Sequence, residues 1–381
     1  MAHGGAHPEK LDVSASINPL GLHPAAKAAL SALVCDDTPL SRYPDSDCMA
    51  LRALMAQFWL GDDVDAAECV VCGAGAVDLI YALVQAFARP ALQEAQERCV
   101  VVLEPAFTEY ARAAAAVGVS VRHVVLDAEH GFALSETGFR QLEAALDGAS
   151  MLFAASPANP SGVVLGAEQL MRLSALCYRT STLFVLDSCF SQFSASAEAA
   201  VRALLSRRLE TTHLVVLHAC TKFYGMAGIR LGYALCGSLQ VAARLRAVMR
   251  PWAVGAVELA AGSAVLRAEL AERPSPLSAP EVWSRWERRT RALVATERAQ
   301  LSAALCAHGF AVVAGEANYV LFRATSPETE SRLCARLLSC GVAIRSCADF
   351  CGLDGHWYRV AVRIAEENAR LRAALAHVCA R

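Results

Sequence analysis

Residues His213 to Tyr233, HLVVLHACTKFYGMAGIRLGY, decide the fold. Leu214-Val215-Val216-Leu217 is a short apolar run that reads as a buried strand. It ends in a polar turn carrying Thr221 and Lys222. Gly225, Gly228 and Gly232 follow, with Arg230 between the last two. The chain holds three lysines, Lys10, Lys27 and Lys222, among 35 Lys and Arg residues, so arginine supplies nearly all the positive charge. A guanidinium keeps its proton, whereas a lysine amine releases it when desolvated or set beside another cation. A solitary lysine just past a buried strand points to chemistry that needs a free amine, such as Schiff-base formation. The alternative is an ordinary surface lysine.

Three other stretches end in the same way. Leu183-Phe184-Val185-Leu186 runs into Asp187, and Met151 to Ala155 runs into Ser156-Pro157-Ala158-Asn159-Pro160-Ser161-Gly162. Cys69-Val70-Val71-Cys72 runs into Gly73-Ala74-Gly75-Ala76, which opens an apolar helical pattern. In open α/β sheets ligands bind beyond the carboxyl ends of the strands, so these four features should meet. A Schiff-base lysine with an aspartate for a pyridinium nitrogen is the signature of pyridoxal 5'-phosphate (PLP).

With these residues the chain resembles the fold-type I PLP enzymes of the class I/II aminotransferase family, from its first residues to its last helix. Within that family it is most similar to the threonine-phosphate decarboxylases of cobalamin synthesis, and next to the histidinol-phosphate aminotransferases. The stretches that carry the likeness are His3-Gly4-Gly5, Ser14-Ala15-Ser16-Ile17-Asn18-Pro19-Leu20-Gly21, Tyr43-Pro44-Asp45, Pro105-Ala106-Phe107-Thr108-Glu109-Tyr110 and Val342 to Val362. Two places depart from the common pattern. Asp187-Ser188-Cys189 stands where Asp-Glu is frequent, and Ala219-Cys220-Thr221 precedes the lysine where serine or leucine is frequent.

The resemblance implies a role for each group. Lys222 and Asp187 are the expected catalytic pair, with Asp187 keeping the pyridine nitrogen protonated. Phosphate binding falls to Gly75 and to the backbone N–H groups of Ala76 and Val77 at a helix N-terminus. Thr221 and Arg230 add side-chain donors. Phe107 stacks on the pyridine ring and Asn159 donates to its 3-oxygen. Phe190 stands where aminotransferases carry a tyrosine, so no polar role is assigned to it. Tyr43 reaches the cofactor of a partner chain, which implies a homodimer with a shared active site. His3, Gly4, Asn18, Asn159, Arg345 and Arg359 are the expected substrate contacts. Arg363, on the strand face of Arg359 and Ala361 by alternation, is expected to be structural.

A formal charge of −2 implies no basic face, which argues against nucleic acid as a partner. MAHGGAHPEK lacks the basic segment and apolar core of a signal peptide. The nearly apolar run Cys69 to Phe87 contains a Gly-Ala-Gly turn, Asp78 and Gln85, so it reads as strand, turn and helix and not as a membrane span. The 15 cysteines are scattered. Cys69 and Cys72 have no second pair at zinc spacing, so free thiols, a reducing cytoplasmic location and no metal are expected.

Strand and helix then alternate: strands at 69–73, 99–103, 121–126, 151–155, 183–187, 213–218 and 230–235, and helices at 76–87, 107–117, 137–146, 167–178 and 240–249. Helices at 25–34 and 47–58 precede them. The pattern is α/β, a large domain with a mainly parallel sheet flanked by helices. After Pro251-Trp252 the chain turns helix-rich, with Glu281/Arg285 and Glu287/Arg291 as pairs four apart on a solvated face. Strands at 318–323, 341–345 and 357–364 alternate with helices 329–339 and 366–379. The expected organisation is an arm at 1–35 packing with the small domain, a PLP-binding domain at 36–255 and a smaller α+β domain at 256–381.

The expected activity is PLP-dependent decarboxylation of L-threonine O-3-phosphate to (R)-1-amino-2-propanol O-2-phosphate. A histidinol-phosphate-type aminotransferase, a decarboxylase of serine phosphate or a phosphonate analogue, and a non-catalytic PLP-binding sensor are the alternatives. All but the last take a small phosphorylated substrate.

Overall fold

A computed structural model describes residues 5, 7, 9–61, 65–88, 98–207, 211–273, 282–325 and 333–379. His3, Gly4 and Glu281 lie outside them.

Thirteen strands are described: β1 Leu11–Asp12, β2 Val70–Gly73, β3 Cys99–Glu104, β4 Ser120–Val125, β5 Ala149–Ala155, β6 Leu183–Asp187, β7 Leu214–Ala219, β8 Gly232–Cys236, β9 Ala311–Val312, β10 Tyr319–Arg323, β11 Val342–Ala343, β12 Arg345–Ser346 and β13 Trp357–Ala361. Seven form one sheet in the order β2-β8-β7-β6-β5-β3-β4. β3 through β7 pair in parallel, while β8 runs antiparallel to both neighbours. This is the expected mainly parallel α/β sheet.

Alternation along these strands feeds two cores, one on each face. Val101, Leu152, Phe184, Leu186 and Val216 point to one face, where they meet Met55 and Trp59 of helix Met49–Leu60 and Val201 of helix Ala195–Leu205. Val100, Val102, Phe153, Val185 and Leu217 point to the other, against helices Ala76–Phe87, Glu109–Ala116 and Leu239–Arg246. Strands buried on both faces read as continuous apolar runs, which is how they appear in the sequence.

The smaller sheet, β12-β13-β10-β9, is antiparallel. A third core joins it to helix Ala365–Cys379 and to Leu11 and Val13 of the N-terminal arm. β1 pairs in parallel with β11, and the Ala361 N–H donates to the Val13 carbonyl at 2.7 Å. The arm therefore forms a two-stranded sheet with β11 beside the small sheet and is tied to β13 through Val13. Helix Ala256–Glu272 buries Ala261, Val265 and Leu266 in the first core, beside the large sheet. Helix Arg285–Ala307 spans both parts, with Val294 in the first core and Leu301 and Leu305 in the third.

Several local expectations are corrected. The run expected as one strand at 341–345 breaks at Ile344 into β11 and β12, which pair with different strands. The helix expected from Phe107 begins at Glu109. Arg363 lies beyond the end of β13, bonded to Glu367 at 3.1 Å. The helix Ala195–Leu205 has no counterpart in the sequence reading. Glu287 and Arg291 are buried, not solvated. Glu287 bonds Arg273 at 3.0 Å, while Arg291 bonds Glu198, which also takes Arg202 at 2.7 Å and Arg273 at 2.8 Å. Their partners come from other helices, so the four-residue spacing did not report the pairing. Three arginines pull the Glu198 carboxyl below its usual range despite burial. Removing one member of such a set costs about 3–5 kcal/mol, because a buried charge is left unmatched.

Candidate active site

A cavity of about 470 Å³ opens beyond the carboxyl ends of β5, β6 and β7. The start of helix Ala76–Phe87 forms one side, through Ala76 and Val77. Ser14, Ala15 and Ser16 of the arm close it together with Arg345, Phe350 and Arg359 of the small sheet. The four strand-end features of the sequence meet here, through Ala76, Asn159, Asp187 and Lys222.

Lys222 sits in a one-turn helix, Cys220–Phe223, directly after β7. Its ammonium group lies 5.9 Å from the centre of the Phe190 ring. Among the described residues no acceptor bonds its Nζ. Burial first, and then the positive charge of Arg359, lowers its pKa from 10.5 to about 8. The turn is held from behind by Asn18. That residue's N–H donates to the Lys222 carbonyl at 3.1 Å, and its side-chain amide donates to the Phe223 carbonyl at 2.6 Å and to Thr290 Oγ1 at 3.0 Å.

Asp187 ends β6 with both carboxylate oxygens engaged. The Tyr110 hydroxyl donates to Oδ2 at 2.5 Å and the Cys189 N–H to Oδ1 at 3.0 Å. Tyr110 is itself fixed by stacking on Phe153, ring centres 4.7 Å apart. Burial, reinforced by Asp187, drives the Tyr110 phenol well above its ordinary range. Phe107 lines the cavity with its ring edge-on to Tyr110 at 5.9 Å.

The anion cradle depends on close backbone approach. Gly75 caps the helix with φ +86°, and a Cβ there would come within 3.0 Å of Arg230 Nη2. Gly232 of β8 passes so near that a Cβ would sit 2.5 Å from the Gly75 carbonyl carbon and 2.6 Å from the Ala76 nitrogen. Only glycine permits that crossing. Ala76, Val77, Thr221 and Arg230 line one wall.

On the small-sheet side, Arg359 donates through Nη1 to Asn159 Oδ1 and through Nη2 to the Ser14 carbonyl at 3.1 Å. Its Nε is buried and has no partner among the described residues. Because Asn159 accepts with Oδ1, its Nδ2 keeps its donors for the cavity. Arg345 Nη2 donates to both carboxylate oxygens of Asp349, at 2.8 and 2.7 Å.

Three expected residues lie elsewhere. Asn18 does not line the cavity, because its whole amide is spent on the Lys222 turn and on the Leu20 N–H. Its neighbours Ser14 to Ser16 bring the arm to the cavity instead. Gly75 stands behind Ala76. Tyr43 is 82% exposed and stacks on Trp252 at 4.6 Å, outside the cavity of its own chain. The sequence reading missed Tyr110, Cys189 and the Glu109–Arg112 pair, all of which line the cavity. Tyr110 stood in a quoted motif, but only the fold shows that it meets Asp187.

The family profile described as aminotransferase class I and II matches residues 8–377, and the chain belongs to that family. It is 32% identical to a threonine-phosphate decarboxylase of Salmonella typhimurium over 377 residues, 98% of this chain and 93% of that protein. It is 33% identical to a histidinol-phosphate aminotransferase of Symbiobacterium thermophilum over 359 residues, 94% of this chain and 87% of that one. The crystal structure of the histidinol-phosphate aminotransferase from Clostridium acetobutylicum superposes with a TM-score of 0.81 at 23% identity, covering 97% of this chain and 98% of that one. The chain is therefore a PLP-dependent enzyme of the class I/II aminotransferase family.

The residues fit the cofactor. Gly75 and Gly232 leave backbone room at a helix N-terminus beside Arg230, which suits a phosphate. Lys222 offers a partly buried amine whose pKa is already lowered. Among the described residues no helix is long and apolar enough to cross a membrane. All fifteen cysteines are free thiols.

Proposed function

We propose that the chain decarboxylates L-threonine O-3-phosphate to (R)-1-amino-2-propanol O-2-phosphate and CO2. The observation that carries this reading is a cavity with two cationic ends. Arg230 and the helix N-terminus lie at the end assigned to the cofactor phosphate. Arg345 and Arg359, at the other end, are left for a substrate with two anionic groups. The likeness to the Salmonella decarboxylase over nearly the whole chain supports it.

Ala76, Val77, Thr221 and Arg230 are assigned to the cofactor phosphate, Phe107 to its ring face, Asn159 Nδ2 to its 3-oxygen and Asp187 to its ring nitrogen. Bound PLP supplies an electron sink for the pair left at Cα. Tyr110 and the Cys189 N–H hold the Asp187 carboxylate in one orientation. Arg359, with Nε unpartnered, is assigned to a substrate anion. Arg345 takes the other, sharing its charge with Asp349. Hydrogen bonds to charged groups contribute about 1.5–3 kcal/mol each, so a substrate lacking phosphate binds far more weakly. After the Cα–carboxylate bond breaks and CO2 leaves, Lys222 Nζ in its ammonium form would give that carbon a proton and be left as the neutral amine. A pKa of about 8 suits a group that both takes and gives a proton near neutrality.

The arm and residues 256–381 are inferred to close over the substrate. Val34, Leu40, Tyr43, Met49, Trp252 and Val257 are exposed large apolar side chains near one another in sequence or space. We assign them to a homodimer face that carries Tyr43 to the partner's cofactor. The second reading, a histidinol-phosphate-type aminotransferase, is favoured by the 33% identity to such an enzyme. Incubation of the PLP-loaded protein with threonine phosphate, with and without a 2-oxo acid, separates the two. CO2 release without the oxo acid supports decarboxylation. Amino transfer from histidinol phosphate to 2-oxoglutarate, with no CO2 from threonine phosphate, supports the other.

A further inference from the structure

We propose that Glu104, His123 and Cys351 form a binding site for a zinc-class divalent cation, which ties the loop after β12 to the edge of the large sheet. One donor atom of each residue lies within 4.8 Å of the other two. Glu104 ends β3 and His123 lies in β4. In their parallel register Glu104 stands opposite Val125, two residues beyond His123, so both side chains leave the same face. Cys351 arrives from the loop between β12 and β13. Its neighbour Gly352, at φ +82°, lies so close that a Cβ would come 2.5 Å from Val125 Cγ1. The glycine thus seats the thiol on the β3–β4 edge.

The set is not explained by an ordinary histidine–glutamate hydrogen bond. His123 Nδ1 and Glu104 Oε1 are 2.9 Å apart. The Ala106 N–H also faces this carboxylate, but the second oxygen, Oε2, is buried in a residue only 4% exposed and makes no well-formed hydrogen bond among the described residues. A buried, unpartnered carboxylate oxygen costs free energy unless a donor or cation meets it. Donor atoms in a tetrahedral zinc site stand about 3.3–3.8 Å apart, from bond lengths of about 2.0–2.3 Å. The donors lie within 4.8 Å of one another, and His123 Nδ1 and Glu104 Oε1 at 2.9 Å, so metal binding needs shifts of up to about 1 Å that draw the thiol in and part the histidine from the carboxylate. One sulfur, one imidazole nitrogen and one carboxylate oxygen suit zinc and disfavour magnesium and calcium, which take oxygen ligands. Water fills the fourth position, and the partly exposed His123 leaves a path for entry. On binding, the Cys351 S–H bond breaks, a sulfur–metal bond forms and the proton goes to solvent.

The clamp lies next to the reaction site. Phe350 lines the cavity, and Glu104 precedes the Pro105–Phe107 segment that carries the ring-facing phenylalanine. The ion orders both without touching substrate, so its binding is tested apart from the reaction. PLP-loaded protein is freed of metal with a chelator and titrated with Zn²⁺ against a chromophoric competitor, and separately with Co²⁺. The expected result is one zinc per chain, weakened at least about 100-fold in both Cys351→Ser and His123→Gln, more than the effect typical of an outer-shell change. Cobalt gives a near-ultraviolet thiolate charge-transfer band that is absent in Cys351→Ser. Zinc slows amide exchange in residues 347–353 of the parent only. Unaltered cofactor absorbance in each variant establishes folding, and His123→Gln serves as the independent test if Cys351→Ser fails to fold. No stoichiometric zinc, or zinc affinity unchanged in either folded variant, overturns the proposal.

Discussion

In the cofactor-free protein Lys222 should titrate far below an ordinary lysine, and that shift sets how fast the cofactor attaches. Its pKa falls from 10.5 to about 8, chiefly by burial and next by Arg359. The free-amine fraction changes tenfold per pH unit, so the site holds roughly 300-fold more neutral amine at pH 7 than a solvated lysine would. The linkage has a definite sign. Folding lowers this group's proton affinity, so the unfolded chain binds more protons between about 8 and 10.5. Stability of the cofactor-free protein rises across that window, and below it the full cost, about 3 kcal/mol, is present. The assay is the rate of PLP attachment against pH, followed by absorbance. It should level off with a midpoint near 8. Arg359→Gln removes the largest cationic influence on Lys222 and should move the midpoint upward. A rate that climbs without inflection to pH 10 or above would refute the reasoning.

Three further outcomes follow from the same geometry. Asp187→Asn should still bind PLP through the phosphate cradle but lose most turnover, since a neutral amide cannot hold a pyridinium charge; near-normal turnover would reduce Asp187 to a strand-end residue. Inactive Lys222→Ala and inactive Tyr43→Ala chains, mixed and shown to form heterodimers, should recover part of the activity, and none recovered would count against a shared site. Gly232→Ala, whose Cβ would sit 2.5 Å from the Gly75 backbone, should lower stability by about 1–3 kcal/mol and weaken PLP binding, read by thermal unfolding and cofactor titration.

Which parts of this were legible in the sequence follows from the range of the interactions. Apolar runs at 183–187 and 213–218 announced β6 and β7 because strands covered on both faces need no polar residue. Asp187 and Lys222 were visible because each breaks such a run at its carboxyl end. Asn18 was misplaced because its partners, the Phe223 carbonyl and Thr290, lie 205 and 272 residues away. Tyr110 was overlooked for the same reason, since nothing local marks its bond to Asp187. Glu287 and Arg291 looked like a solvent-facing pair until Glu198 and Arg273 arrived from other helices. Glu104, His123 and Cys351 show no zinc spacing because three separate segments supply them.

The most direct test of the central claim is CO2 release from threonine phosphate by the PLP-loaded protein in the absence of any 2-oxo acid. Stoichiometric CO2 and 1-amino-2-propanol phosphate are expected, with plain threonine a poor substrate. In Arg359→Ala kcat/KM should fall by about tenfold or more, since about 1.36 kcal/mol is tenfold. No CO2 from threonine phosphate, together with glutamate formed from 2-oxoglutarate and histidinol phosphate, would contradict the claim.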